Sequence, residues 1–358
     1  MPKTQGGHAV NSASTLDPRA LPSRFENVEA LEDFLSLPSQ ALIDDLAALD
    51  GDLMILGVGG KMGPTMARLA KRAAPNKRVI GVARFSDTAV RERLDSWGVE
   101  TIATDLLDRA GLQELPRAAN IVFTAGHKFG ANSNPGLTWA MNTYLPGLVA
   151  DTFRTSRIVS FSTGNVYPLT PIGRPAASEA TAPAPVGEYA QSCLGRERMF
   201  EYFAQQHGTA GRIFRLNYAI DMRYGVLYDV ASKVFKGDAV DVTMGHVNVI
   251  WQGDANAQAL RSLRHCGTPV APINCTGPET IAVRWLATEF GKLFGKAAVI
   301  TGQEAPNALL SDTTLATRLF GYPLVPLGRM MEWVADWISR EMPSHGKPTK
   351  FEVRDGGF

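Results

Sequence analysis

Three cysteines in 358 residues, Cys193, Cys266 and Cys275, are too few and too irregularly spaced for a disulfide framework or a zinc site. A reducing, cytoplasmic setting is the simplest expectation, and no bound metal is expected. An excess of one charge is lacking too. The formal net charge of +1 removes the electrostatic case for nucleic acid or an anionic membrane surface as a partner. No uninterrupted apolar run approaches the length of a membrane helix. The first residues carry no apolar segment of the kind a secretory leader needs. Internal repeats are absent. What is there is 45% hydrophobic and 20% charged residues, enough to build a sizeable core.

Residues 1 to about 24 are rich in Ser, Pro, Gly and Asn and predict a loose terminus. Helical spacing over 27–49, divided by Pro38, predicts two short helices. Strand-like runs then alternate with helical ones, at 53–58, 78–83, 99–104, 121–125 and 157–161. That alternation predicts an α/β fold, a Rossmann-type doubly wound parallel sheet with right-handed crossovers. Residues 188–206 read as a further helix and 211–216 as a sixth strand, after which the pattern becomes irregular. The expected organisation is an N-terminal extension over 1–50 and a dinucleotide-binding domain over 51–217. A smaller mixed α/β substrate lobe over 218–358 returns some chain to the first domain.

The first strand runs straight into Gly57-Val58-Gly59-Gly60-Lys61-Met62-Gly63, and a helical pattern follows. Such a turn leaves backbone N–H groups pointing outward at a helix N-terminus, where a phosphate fits. Gly57 would make the tight turn, Gly60 would admit a pyrophosphate, and Gly63 would let helix pack on strand. Gly59, Lys61 and Met62 complete the expected cofactor loop. At the end of the second strand stands Arg84, where an NAD site commonly offers an acid to the ribose 2′-hydroxyl. An arginine suits a 2′-phosphate, so NADP(H) is favoured and NAD(H) stays open; an ordinary exposed arginine is the plain alternative. Asp105 and Leu106 follow the third strand and are expected at the adenine, unless Asp105 only caps the next helix.

Further along stand Thr124-Ala125-Gly126, Asn142, Phe161-Ser162-Thr163-Gly164-Asn165-Val166-Tyr167 and Glu188-Tyr189-Ala190-Gln191-Ser192. In this order, after a GxxGxxG turn, they resemble the extended short-chain dehydrogenase/reductase family, which contains nucleotide-sugar epimerases and dehydratases. The likeness covers roughly residues 52–338. It implies a nicotinamide cofactor contacted by Thr124, Ala125, Gly126, Tyr189 and Asn217. It further implies Thr163 as the hydroxyl that holds the reacting oxygen, Tyr189 as acid/base, and Asn142 as a prop for the active-site helix. Gly164-Asn165 stands where related dehydratases place two acids, so dehydration is not expected.

One position departs from the family. Its lysine one helical turn after the tyrosine is Cys193 here. An isolated tyrosine has a pKa near ~10 and needs a cation to act as base at neutral pH. Three readings stay open. Lys128, after the fourth strand, substitutes; or Tyr189 works more slowly with a raised pKa; or the domain binds a dinucleotide without hydride transfer. The function expected is an NAD(P)-dependent oxidoreductase or epimerase acting on a secondary alcohol of a sugar, sugar acid or nucleotide-sugar. The rival is a catalytically impaired dinucleotide-binding or redox-sensing protein. Candidate substrate residues are Lys128, Asn165, Asn217, Arg223 and Trp251, with an Arg223 salt bridge to Asp221 or Asp229 as the structural alternative. The resemblance also implies a homodimer through the helices carrying Asn142 and Tyr189, with Leu145, Leu148, Met199 and Phe200 either on that surface or in the core.

Overall fold

The apolar run Leu53-Met54-Ile55-Leu56 is buried on every residue, because strands of a parallel sheet are covered on both faces. In a computed structural model that describes residues 15–357, this run is the central strand, β1 (Leu53–Leu56). Residues 1–14, the first part of the terminus expected to be loose, lie outside the described residues. The other strands are β2 (Val79–Ala83), β3 (Glu100–Ala103), β4 (Asn120–Phe123), β5 (Arg157–Thr163), β6 (Gly211–Leu216) and β7 (Ala271–Cys275). The sheet order is β7-β6-β5-β4-β1-β2-β3, and every neighbouring pair is parallel. This is the expected Rossmann-type doubly wound sheet. The order reverses between β1 and β4, which opens a crevice at their carboxyl ends.

Strand ends differ from the sequence reading in a useful way. β1 and β4 stop at Leu56 and Phe123, so Gly57, Val58, Thr124 and Ala125 belong to crevice loops. β5 instead runs on to Thr163. The edge strand β7 escaped the sequence reading. Pro272 and Asn274 interrupt its apolar pattern, and proline is tolerated there because an edge strand has one unpaired side.

The helices that accompany these strands include α1 (Val28–Leu35), α2 (Gln40–Ala47), α3 (Gly63–Ala73), α4 (Thr88–Ser96), α5 (Arg109–Glu114), α6 (Leu145–Thr152) and α7 (Gly187–His207). Asn27 and Ser39 cap α1 and α2, accepting from Ala30 N at 2.8 Å and Leu42 N at 3.3 Å. Leu31, Phe34 and Leu35 of α1 enter a core built around Trp251 and Trp333. Leu42 and Leu46 of α2 pack on the sheet side instead. After β6 come α8 (Val226–Lys236), α9 (Gln252–Arg261), α10 (Val283–Phe294) and α11 (Leu327–Ser339); α8, α10 and α11 build that first core, while Ala255, Ala259 and Leu260 of α9 pack on the sheet side. Among the described residues no helix is long and apolar enough to cross a membrane, and no cluster of His, Cys, Asp or Glu is placed to hold a metal ion.

Candidate active site

Gly57 has φ +93°, and a Cβ there would lie 2.6 Å from Ala125 N. Only glycine turns the chain this sharply against the β4 loop. At Gly63 a Cβ would stand 2.2 Å from Val58 O, so α3 sits directly on the end of β1. No side chain caps α3, and its first N–H groups are left to the crevice. Two cavities meet at Gly60, Thr124 and Gly126. One, of about 290 Å³, is lined by Gly57, Gly59, Arg84, Asp105, Leu106 and Ala125 among others. The second, of about 280 Å³, is lined by Lys61, Met62, Gly63, Lys128, Thr163, Asn165, Tyr189 and Asn217.

These features fit a dinucleotide laid across α3. The glycine turn is a cradle that a Cβ would fill, and the buried Asn217 Nδ2 has no hydrogen-bond partner among the described residues. Asp105 is not the cap of the helix that follows. Asp108 caps α5, accepting from Ala110 N, while Asp105 accepts from Leu107 N and faces the first cavity.

In the second cavity the Tyr189 hydroxyl is hydrogen-bonded to Thr163 and Cys193, and burial holds its pKa well above the ordinary tyrosine value. Thr163 Oγ1 accepts from Asn165 N at 3.2 Å and Asn165 Nδ2 at 3.0 Å. With both acceptor sites served, its own proton is the one that goes to the Tyr189 hydroxyl, which holds the two oxygens side by side in the cavity. Lys128 Nζ lies 5.7 Å from the Tyr189 ring centroid and donates to Thr349 O at 3.3 Å. Burial lowers the Lys128 ammonium to about 8. Burial also pushes the Cys193 thiol up, so a reactive thiolate is disfavoured there.

The backbone beside Lys128 is fixed by Asn142. A π turn over Ala140–Tyr144 carries Asn142 inward. Its Oδ1 accepts from His127 N and Arg196 Nη2, each at 2.8 Å, and its Nδ2 donates to His127 O at 2.8 Å and Ser192 Oγ at 3.0 Å. Asn142 lines neither cavity. Its hydrogen bonds tie the Lys128 segment to the helix bearing Tyr189.

Two expected substrate-side placements, Trp251 and Arg223, need correction, and Lys61 of the expected cofactor loop reaches further than that loop. Trp251 is buried in the second-lobe core against Phe25, Phe34 and Trp333, because its large apolar ring fills the space between α1 and α11. Arg223 is buried in salt bridges, with Asp221 at 2.9 Å and Glu32 at 2.9 Å, and lines neither cavity. Its charge is satisfied inside the lobe. Lys61 does belong to the glycine turn, yet its ammonium reaches across to the Tyr224 ring, 3.0 Å from the centroid.

One residue of the cavity wall gave no signal in the sequence. Thr349 lines the second cavity from the C-terminal tail, a segment without apolar periodicity. Its N and Oγ1 donate to Asp229 at 2.7 and 2.5 Å, and Phe351 anchors the tail in the second-lobe core. Tyr218, also in the cavity wall, has φ +50°, a strained backbone that clusters at functional sites. Arg196 is buried on α7 with Nη1 donating to Phe161 O at 2.6 Å.

Residues 53–220 match the family model described as the NAD dependent epimerase/dehydratase family. A search of curated proteins gave no match. Among solved structures, a UDP-glucose 4-epimerase from Thermotoga maritima, crystallised with UDP-glucose, superposes with a TM-score of 0.67 at 17% identity, covering 81% of this chain and 99% of that one. A UDP-glucuronic acid 4-epimerase from Bacillus cereus, in complex with NAD, gives 0.66 at 17% identity, with the same coverage. At such identities the likeness speaks for the fold. The ordered glycine turn, Thr163 and Tyr189 all lie within the segment, residues 53–220, that matches the NAD dependent epimerase/dehydratase family model.

Proposed function

We propose that the protein is an NAD(P)-dependent oxidoreductase or epimerase acting on a secondary alcohol of a sugar, sugar acid or nucleotide-sugar. The single observation that carries this reading is the convergence of Thr163, Tyr189 and Lys128 on one cavity, which joins the cavity beside the glycine turn. Gly57, Gly60, Gly63 and the α3 N-terminus would hold the pyrophosphate, Asp105 and Leu106 the adenine, and Asn217 the nicotinamide end. A bound nicotinamide supplies the hydride acceptor and donor. When substrate binds, Thr163 turns its hydroxyl proton from Tyr189 to the reacting oxygen and orients it. Tyr189 gives or takes the proton on that oxygen as it changes between alcohol and carbonyl. Lys128 supplies the positive field that Cys193 does not, and favours the tyrosinate when proton removal is required.

Arg84 in the first cavity favours NADP(H) over NAD(H). The homodimer belongs to the same proposal, on a reduced surface. Leu145 and Phe200 are core residues, and Tyr144 and Tyr202 are the large side chains left exposed on those helices. Sedimentation showing only monomer at micromolar concentration would count against it.

The test is turnover of sugars, sugar acids and their nucleotide conjugates with either cofactor, following nicotinamide absorbance and substrate stereochemistry. The reading expects activity in the wild type and its loss in Tyr189→Phe with cofactor binding intact. Tight cofactor binding with no turnover across the panel would favour the rival, a dinucleotide-binding protein that has lost hydride transfer, for which Cys193 is the supporting observation.

A further inference from the structure

Three ammonium groups from three separate segments surround one aromatic ring at the second cavity. Lys61, Lys128 and Lys347 place Nζ at 4.9, 5.8 and 5.8 Å from the Phe129 centroid. Lys61 arises from the glycine turn, Lys128 from the loop after β4, and Lys347 from the tail. Lys61 Nζ is buried with no hydrogen-bond partner among the described residues. Taking an ammonium out of water costs several kcal/mol unless it is paired, and neighbouring like charges add to that cost. Burial, and then Lys128 and Lys347, lower Lys61 to about 7.

The nearest carboxylates are already engaged. Asp221 accepts from Arg223 N at 2.6 Å and Nη2 at 2.9 Å, while Asp229 accepts from Thr349. The charge complement of the Lys61 ammonium is therefore left for a ligand to supply. The Lys61 ammonium also faces Tyr224 across the cavity, on the side of the second lobe.

We propose that the second cavity takes a substrate bearing an oxyanion, a carboxylate or a phosphate, which pairs with Lys61 while the substrate's secondary alcohol lies at Tyr189. Lys128 adds to the field from behind and Lys347, which is exposed, adds to it at the mouth. The inference rests on the function proposed above and narrows its substrate class. Tyr224 and Phe129 share the Lys61 cation through their ring faces while the site awaits its anion.

The experiment is calorimetric titration of the full-length protein with glucuronate, glucose 6-phosphate and glucose, in wild type, Lys61→Met and Lys61→Arg. One acid is expected to bind about ten-fold or more tightly than glucose, the ratio a charge-assisted hydrogen bond supplies. The glucuronate and phosphate arms say which oxyanion it is. Lys61→Met should abolish the preference and Lys61→Arg should keep it. Equal affinity for glucose and both acids, no binding of either acid, or a preference that survives Lys61→Met overturns the inference. NAD titration of the same variants is the further control. If Lys61→Met weakens NAD and leaves the sugar preference intact, the lysine serves the cofactor and the inference fails. Acid-selective binding without turnover would instead sink the proposed function and leave the anion site standing.

Discussion

At the scale of single residues, the proposed chemistry turns on which cation sits near Tyr189. Burial raises the Tyr189 pKa and lowers that of Lys128 to about 8. Lys128 is charged below that value and loses its proton as pH rises through it. A reaction that needs the cation should therefore show kcat/KM falling above about pH 8, and Lys128→Arg, whose guanidinium stays charged, should flatten that limb. Lys128→Met should lower kcat by about 10²-fold or more, the usual weight of an aligned acid/base pair, with cofactor affinity nearly unchanged. Unaltered pH profiles in both variants would remove Lys128 from the mechanism. Arg84 carries a separate expectation. NADPH should bind more tightly than NADH, and Arg84→Ala should erase the difference in a fluorescence titration.

At the scale of elements, buried polar ties hold the carboxyl ends of the strands in register. Glu197 of α7 accepts from Arg215 of β6 at 3.0 and 2.6 Å, and from Ser162 of β5 at 2.5 Å. Arg215 also donates to the Tyr167 hydroxyl at 2.7 Å, which donates on to Asn274 of β7 at 2.8 Å. Both ends of the Arg215–Glu197 pair are almost fully buried, so removing one partner strands a charge in the interior. Glu197→Gln should cost about 3–5 kcal/mol, read from denaturant midpoints. The glycine turn allows a second expectation. Gly63→Ala brings a methyl against Val58 O and should cost about 1–3 kcal/mol along with dinucleotide binding, because α3 must lift off β1.

At the scale of the whole molecule, the tail closes the site. Beyond α11 the chain returns over the second cavity. There Thr349 meets Lys128 and Asp229, Glu352 pairs with Lys233 at 2.6 Å, and Gly356 lies against Val186 and Gly187 at the start of α7. Deleting residues 345–358 should leave the glycine turn and its cofactor affinity in place while turnover falls sharply. Parallel loss of both activities would instead mark the tail as a general support of the fold.

Much of this was legible in the linear order of residues. Alternating apolar runs required a parallel sheet, since only strands covered on both faces read that way. Glycine at 57, 60 and 63 specified a turn able to approach a phosphate, and Thr163 and Tyr189 stood at family spacing. These are local properties, carried by a few neighbouring side chains. The tertiary structure decided what depends on distant segments meeting. It buried Trp251 and Arg223 in the second lobe, brought the tail to Lys128, and carried the Lys61 ammonium across the crevice to Tyr224. A charge's partner and a cavity's wall are set by packing between segments far apart in sequence, and no local pattern encodes them.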